Sequence, residues 1–256
     1  MARGEGLPGD VTLAAGGTGS GRAHVVGDVV AVVVAGGPGT RLAAEVPKAF
    51  VEVGDCPLVI RSLRAMLAAA SVTSAVIVAP QRSVDRARSL VAAYGPWRCP
   101  VTVTPGGAER QDSVRNGLAA AGGAGLIAIH DAARPFVSPA VVEAVIAAAA
   151  THGAAIVARP ATDTVKRVHP DGWIESTPPR EHTWLAETPQ VFRADLIRAA
   201  HARADAADRA TDDAVLVERL GARVYVVRGN PENRKITTPD DLRWAEWLLT
   251  QRTTPR

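Results

Sequence analysis

Apolar residues in this chain fall into short unbroken runs separated by stretches with helical spacing, and this alternation predicts repeated βα units around a mainly parallel sheet. The runs place strands at residues 29–35, 75–79, 101–104, 126–130, 154–158 and 224–227. Helices are predicted at 58–70, 84–94, 112–121, 139–150, 194–206, 213–220 and 240–249. The first run, Val29-Val30-Ala31-Val32-Val33-Val34-Ala35, has no polar alternation, as expected of a strand covered on both faces. At the start of the last helix, Thr238, Pro239 and Asp241 form a capping-box pattern. The expected class is therefore α/β, with a Rossmann-like sheet flanked by helices.

The first strand runs into Gly36-Gly37-Pro38-Gly39-Thr40-Arg41-Leu42, followed by Pro47-Lys48. Glycines allow close approach of the backbone to an anion and turn several N–H groups toward it, which makes phosphate the natural guest. Arg41 offers a planar fork and Lys48 a mobile point charge, a combination suited to a polyphosphate. A P-loop is excluded because the chain contains no Gly-Lys pair, and the dinucleotide fingerprint is excluded because Leu42 stands where its third glycine belongs. A second glycine-rich stretch, ending in Arg22, has neither a convincing strand before it nor a Pro-Lys after it, so the phosphate-binding role goes to Arg41.

Ligands of open parallel sheets bind beyond the carboxyl ends of the strands. Three such ends are expected to meet: the Gly36 loop, the segment 105–113 carrying Gly106, Gly107, Arg110, Asp112 and Ser113, and His130-Asp131-Ala132-Ala133-Arg134-Pro135. The 106–113 segment suits contact with a base or ribose, and capping of the following helix by Asp112 or Ser113 is its equal alternative. Asp131 closes a buried strand, where a carboxylate can bind Mg²⁺ or a hydroxyl; the alternative is a turn carboxylate paired with Arg134. His130 is read as structural, since no second His or Cys is near it in sequence.

Composition narrows the range of partners. The 256 residues are 47% hydrophobic and carry a net charge of +3. Their cations are scattered among 26 acidic residues without a basic block, so a small anionic substrate is expected and a nucleic-acid partner is not. Cys56 and Cys99 provide neither a disulfide framework nor zinc-site spacing. With no apolar run of membrane-spanning length, no membrane partner is expected and the reading is cytoplasmic. Residues 1–28 are glycine-rich and poor in large apolar side chains, and are expected to be a disordered extension. Residues 29–250 are expected to form one domain with an arm near 161–187, leaving a tail at 251–256.

Taken together, these motifs resemble the 2-C-methyl-D-erythritol 4-phosphate cytidylyltransferase family of the non-mevalonate isoprenoid pathway. The matching stretches also include Asp163-Thr164-Val165-Lys166, Thr188-Pro189-Gln190, Thr211-Asp212-Asp213-Ala214 and Lys235-Ile236-Thr237, all in the family's order. The resemblance implies a cytidylyltransferase that moves CMP from CTP to 2-C-methyl-D-erythritol 4-phosphate, releasing pyrophosphate, with Mg²⁺ as cofactor. It gives Arg41 and Lys48 catalytic roles and places Ala35, Gly36, Gly37, Gly39, Gly107, Ser113, Asp131 and Ala132 at CTP. Arg134, Thr164, Arg180, Thr211 and Lys235 would bind the acceptor, and of these Arg134, Thr164 and Arg180 can be offered by a neighbouring subunit of a homodimer. Gly36 and Ala108 depart from residues common in the family, an alanine and a polar side chain respectively. Two alternatives stay open: a relative acting on another polyol phosphate such as ribitol 5-phosphate, and a catalytically idle nucleotide-binding protein.

Residues 165–176 add an architectural expectation. Two β-prone runs flank Pro170-Asp171-Gly172, a hairpin signal. Such a hairpin needs a surface for Val165, Val168, Trp173 and Ile174, either its own domain or, as the resemblance implies, a second subunit.

Overall fold

The computed structural model describes residues 27–36, 46–204 and 210–253. Its centre is β1 (Val29–Val34), every residue of which is buried. Two short strands, β2 (Glu52–Val53) and β3 (Cys56–Pro57), form a separate ribbon ahead of α1 (Leu58–Leu67). Then come β4 (Val72–Ala79), α2 (Val84–Ala93), β5 (Val101–Pro105), α3 (Arg110–Ala120), β6 (Leu126–Asp131), α4 (Pro139–His152) and β7 (Ala154–Pro160). The hairpin β8 (Arg167–Val168) and β9 (Ile174–Ser176) precedes β10 (Trp184–Arg193), α5 (Ala194–Arg203), α6 (Asp213–Arg219), β11 (Tyr225–Arg228) and α7 (Pro239–Thr253).

The main sheet has seven strands in the order β11-β7-β10-β6-β1-β4-β5, and only β10 runs antiparallel to its neighbours. The α/β expectation is met. Alternation along β1 explains the layers: Ala31 and Val33 pack with Leu63 of α1 and Val145 of α4 on one face, while Val32 and Val34 pack with Val114 of α3 and Ile197 of α5 on the other. Gly117 lets α3 lie close to the sheet, since a Cβ there would come 2.4 Å from Val32 Cγ1. The capping box of α7 forms as expected: Asp241 N–H donates to Thr238 Oγ1 at 3.2 Å, and Thr238 N–H donates to Asp241 Oδ2 at 2.9 Å.

β10 was not predicted. Its middle, Glu187-Thr188-Pro189-Gln190, lacks an apolar run, and the ladder to β7 shifts register between Ala186 and Gln190. The extra residues bulge from the strand and carry Glu187 and Thr188 to the sheet's carboxyl edge. A second correction concerns α3, which begins at Arg110 rather than Asp112. Ser113 therefore lies inside the helix, not in the loop before it. No described helix is long and apolar enough to cross a membrane.

Candidate active site

Chain direction decides where the site lies. From β1 the chain moves outward to β4 and β5, then crosses back so that β6 pairs with β1 on the other side. The cleft over the β1–β6 boundary is the switch point at which such sheets bind ligands. Backbone hydrogen bonds extend the ladder into this edge, with Ala132 N–H donating to Val34 O at 3.0 Å and Gly106 N–H to Ala79 O at 2.7 Å.

A cavity of about 410 Å³ opens there. Of the residues expected at CTP, Ala35, Gly36, Asp131 and Ala132 line it, together with Lys48, Glu109 and Arg110. Ser113 is buried beneath this edge, and its Oγ accepts the Gly107 N–H at 3.2 Å. Asp112 takes the capping alternative, accepting the Glu109 N–H at 3.3 Å. Ala108 presents only a methyl to the cavity. Gly37, Gly39, Arg41 and the rejected Arg22 lie outside the described residues.

Asp131 is the electrostatic centre. Lys235 Nζ stands 2.7 Å from its Oδ2 and Arg110 Nε 3.5 Å from its Oδ1, while its N–H donates to Thr188 Oγ1 at 3.0 Å. Burial disfavours the charged carboxylate, but Arg110, Lys235 and Arg134 outweigh it and hold the group well below the usual range. The expected alternative partner, Arg134, is thus joined by two closer ones. Arg110 is the residue whose role the sequence left unassigned: its Nη1 pairs at 2.8 Å with buried Asp213, whose other oxygen meets His201 Nε2 at 3.1 Å. Gln190 fixes Asp213 in turn, accepting the N–H groups of Asp213 and Ala214 at 3.1 Å.

Lys235 reaches this site through a pinned loop. Ile236 N–H donates to Ala133 O at 2.8 Å, Arg134 Nη1 to Asn233 O at 2.8 Å, and Asn230 Nδ2 to Phe136 O at 3.0 Å. His130 is structural, as expected. Its Nε2 faces the Arg134 carbonyl at 2.9 Å and must carry the proton, which leaves Nδ1 to accept from Thr188 Oγ1 at 3.1 Å. Burial pushes its pKa down to about 4, against the opposing pull of the Arg134 carbonyl and Asp131.

Two smaller cavities adjoin the first. One, of about 250 Å³, is lined by Arg134, Arg159, Glu187, Arg234, Lys235 and Asp241 among others. The other, of about 130 Å³, brings Thr211 together with Asp131, Arg134 and Lys235. Lys235 borders all three. Thr164 and Arg180 border none of them, and Arg180 Nη1 instead donates to Thr162 O at 3.3 Å.

A family model for 2-C-methyl-D-erythritol 4-phosphate cytidylyltransferase (IspD) matches residues 29–251. The chain belongs to this family. It is accordingly a nucleotidyltransferase of isoprenoid biosynthesis. Among relatives so named, it is 46% identical to one from Pelotomaculum thermopropionicum, covering 88% of this chain and 95% of the other. It is 47% identical to one from Nocardia farcinica, covering 88% and 96%. A crystal structure of the Thermus thermophilus enzyme of that name superposes with a TM-score of 0.67 at 35% identity, covering 88% of this chain and 98% of that one. A 4-diphosphocytidyl-2C-methyl-D-erythritol synthase from Anaerococcus prevotii gives a TM-score of 0.77 at 28% identity, covering 88% and 96%.

Members of the family require a divalent metal. Among the described residues no three His, Cys, Asp or Glu side chains converge as a metal cage. Mg²⁺ nonetheless suits this donor set, since it is commonly held by one or two carboxylates plus substrate phosphates, and ionised Asp131 borders the cavity.

Proposed function

We propose that this chain transfers CMP from CTP to 2-C-methyl-D-erythritol 4-phosphate with the site residues in the following roles. The observation that carries this assignment is Lys235, which stands where the large cavity meets a smaller, strongly basic one. CTP occupies the large cavity against Ala35, Gly36, Gly107, Asp131 and Ala132, and the acceptor phosphate lies beyond Lys235 beside Arg134 and Thr211. An acceptor phosphate oxygen attacks the α-phosphorus in line, the bond to the β-phosphate bridging oxygen breaks, and pyrophosphate departs with that electron pair. Arg41 and Lys48 stabilise the charge of the pentacoordinate phosphorus and leaving group. Asp131, together with the phosphates, would hold Mg²⁺, which would supply charge neutralisation when bound. No protein nucleophile is needed, so positioning and electrostatics do the catalysis.

We also propose a homodimer whose arms complete the sites. Its support is the hairpin, where Trp173 is 78% exposed and Ile174 62%, and the distance of Thr164 and Arg180 from one chain's own cavities. The test of function is pyrophosphate release with CTP, ATP, GTP or UTP, Mg²⁺ and each of several polyol phosphates. The expected outcome is a clear preference for CTP and methylerythritol phosphate. Preference for ribitol 5-phosphate would reassign the acceptor, and no release with any pair would mark an idle nucleotide-binding protein.

A further inference from the structure

The structure assigns Arg159 to the acceptor site as an additional phosphate-binding residue, held in place by buried Glu187. The inference rests on the cytidylyl-transfer reading above and extends it to a residue outside the motifs that led there. Arg159 lies at the carboxyl end of β7, opposite Leu185 of β10, and borders the 250 Å³ cavity with Arg134 and Lys235.

Glu187 is built to hold an arginine. It is 3% exposed, and its Oε2 accepts from Asn233 Nδ2 at 2.8 Å while its Oε1 stands 3.1 Å from Arg159 Nε. Gly229 closes in behind it, since a Cβ there would come 2.7 Å from Glu187 Oε2, so the carboxylate has little room to swing away. This anchor engages the Nε edge of Arg159. A guanidinium has further N–H donors in fixed directions on its other edges, and the side chain is 55% exposed, so those donors remain accessible at the cavity.

Charge points to the ligand class. The cavity lining carries four cations, Arg134, Arg159, Arg234 and Lys235, against two carboxylates, Glu187 and Asp241. Asp241 is occupied by the N–H groups of Thr237 and Thr238, at 2.8 and 2.9 Å, and by Arg234 at 2.8 Å. Arg134 is almost buried, and its Nε has no hydrogen-bond acceptor among the described residues. The lining thus has an excess of two positive charges and an unmet buried donor, which suits a phosphate monoester with its charge of about −1.5 to −2. A purely structural Arg159–Glu187 pair would need none of this.

The two roles separate in steady-state kinetics of the full chain. Arg159→Ala is expected to raise KM for methylerythritol phosphate about ten-fold, the scale of one charge-assisted hydrogen bond, with KM for CTP unchanged and the melting temperature lowered because buried Glu187 loses a partner. Arg159→Lys should recover part of the loss, and Arg159→Met, which retains the aliphatic stem, should behave like alanine. An unchanged acceptor KM in the alanine and methionine variants would overturn the inference, as would equal rises in both KM values. If wild type prefers another polyol phosphate, the same comparison is made with that acceptor: a wrong acceptor appears as altered wild-type preference, a wrong role for Arg159 as an unaltered KM.

Discussion

Asp131 and Trp173 show two opposite ways of placing a side chain. Asp131 is a charge taken largely out of water and surrounded, within one chain, by Lys235 and Arg110, with its backbone N–H held by the Thr188 hydroxyl. Trp173 is a large apolar group left 78% exposed at the tip of a hairpin whose other apolar residues, Val168 and Ile174, are 53% and 62% exposed. The carboxylate's surroundings are self-sufficient because a buried charge without partners would cost several kcal/mol. The hairpin is incomplete by the same accounting, since an exposed apolar strand pair is barely stable and gains by being covered. A single chain therefore finishes the surroundings of Asp131 and leaves its arm to be finished by something else.

The largest effect should come from breaking the finished side. Asp131→Asn strands Lys235 and Arg110 without their shared counter-ion, and Lys48→Ala removes a cation from the nucleotide cavity. Each is expected to lower kcat by about 10² or more, the scale on which transition-state charge stabilisation is lost. Near-normal kcat in either folded variant would remove that residue from the mechanism.

The unfinished side is sharpened by mixing chains. If Arg180 acts from a neighbouring arm and Lys235 from the home subunit, Arg180→Ala and Lys235→Ala chains are each weakly active. Exchanged at equal amounts, they should regain about a quarter of wild-type activity, because half the dimers are mixed and each mixed dimer holds one intact site. No recovery after proven exchange would put both residues in the same subunit's site. A fully active monomer in sedimentation would sink the arm altogether.

What the sequence revealed follows from the range of the interactions involved. β1 was legible because a short, β-branched, all-apolar run suits a strand covered on both faces, and α7 because its cap is local: Thr238 and Asp241 are three residues apart. β10 was not, because Glu187, Thr188 and Gln190 interrupt its apolar pattern to serve the site and the Arg134 loop. The carboxylate's partners are remoter still, Arg110 being 21 positions away and Lys235 104. No periodicity carries information over that distance, so Lys235 was identified through the family resemblance and Asp131 by its place at the end of a buried strand, while the roles of Arg110, Asp213, Glu187 and Arg159 emerged only from geometry. Arg110 had one unused sequence signal: a Glu109-to-Asp112 capping pattern that starts the helix early and brings the arginine to its first turn.

The last prediction, on stability and not on activity, compares two histidines, one on each side of the contrast. His130 is wholly buried and kept neutral between Thr188 Oγ1 and the Arg134 carbonyl, with its pKa down at about 4 from 6.5. The unfolded chain takes up this proton as pH falls through 6.5, whereas the folded chain resists until about 4, so the unfolded state binds more protons in that window. Stability should therefore fall from pH 6.5 to 4, by about 3 kcal/mol in all from this residue. Glu187, whose pKa burial raises, works in the opposite direction above 4.5, so the difference between variant and wild type is the informative curve. Asp131 stays out of the window, because its depressed pKa places its loss of stabilisation below the ordinary carboxylate range. His130→Gln can keep a donor toward the carbonyl and an acceptor toward Thr188 without titrating, and urea unfolding at several pH values should show a flatter profile than wild type between 6.5 and 4. His169, on the hairpin, forms a solvent-exposed pair with Asp171 at 3.0 Å, an arrangement worth at most about 1 kcal/mol. His169→Gln removes only this exposed pair; a flattening as large as that of His130→Gln would mean that the arm, not the surroundings of Asp131, sets the protein's response to acid.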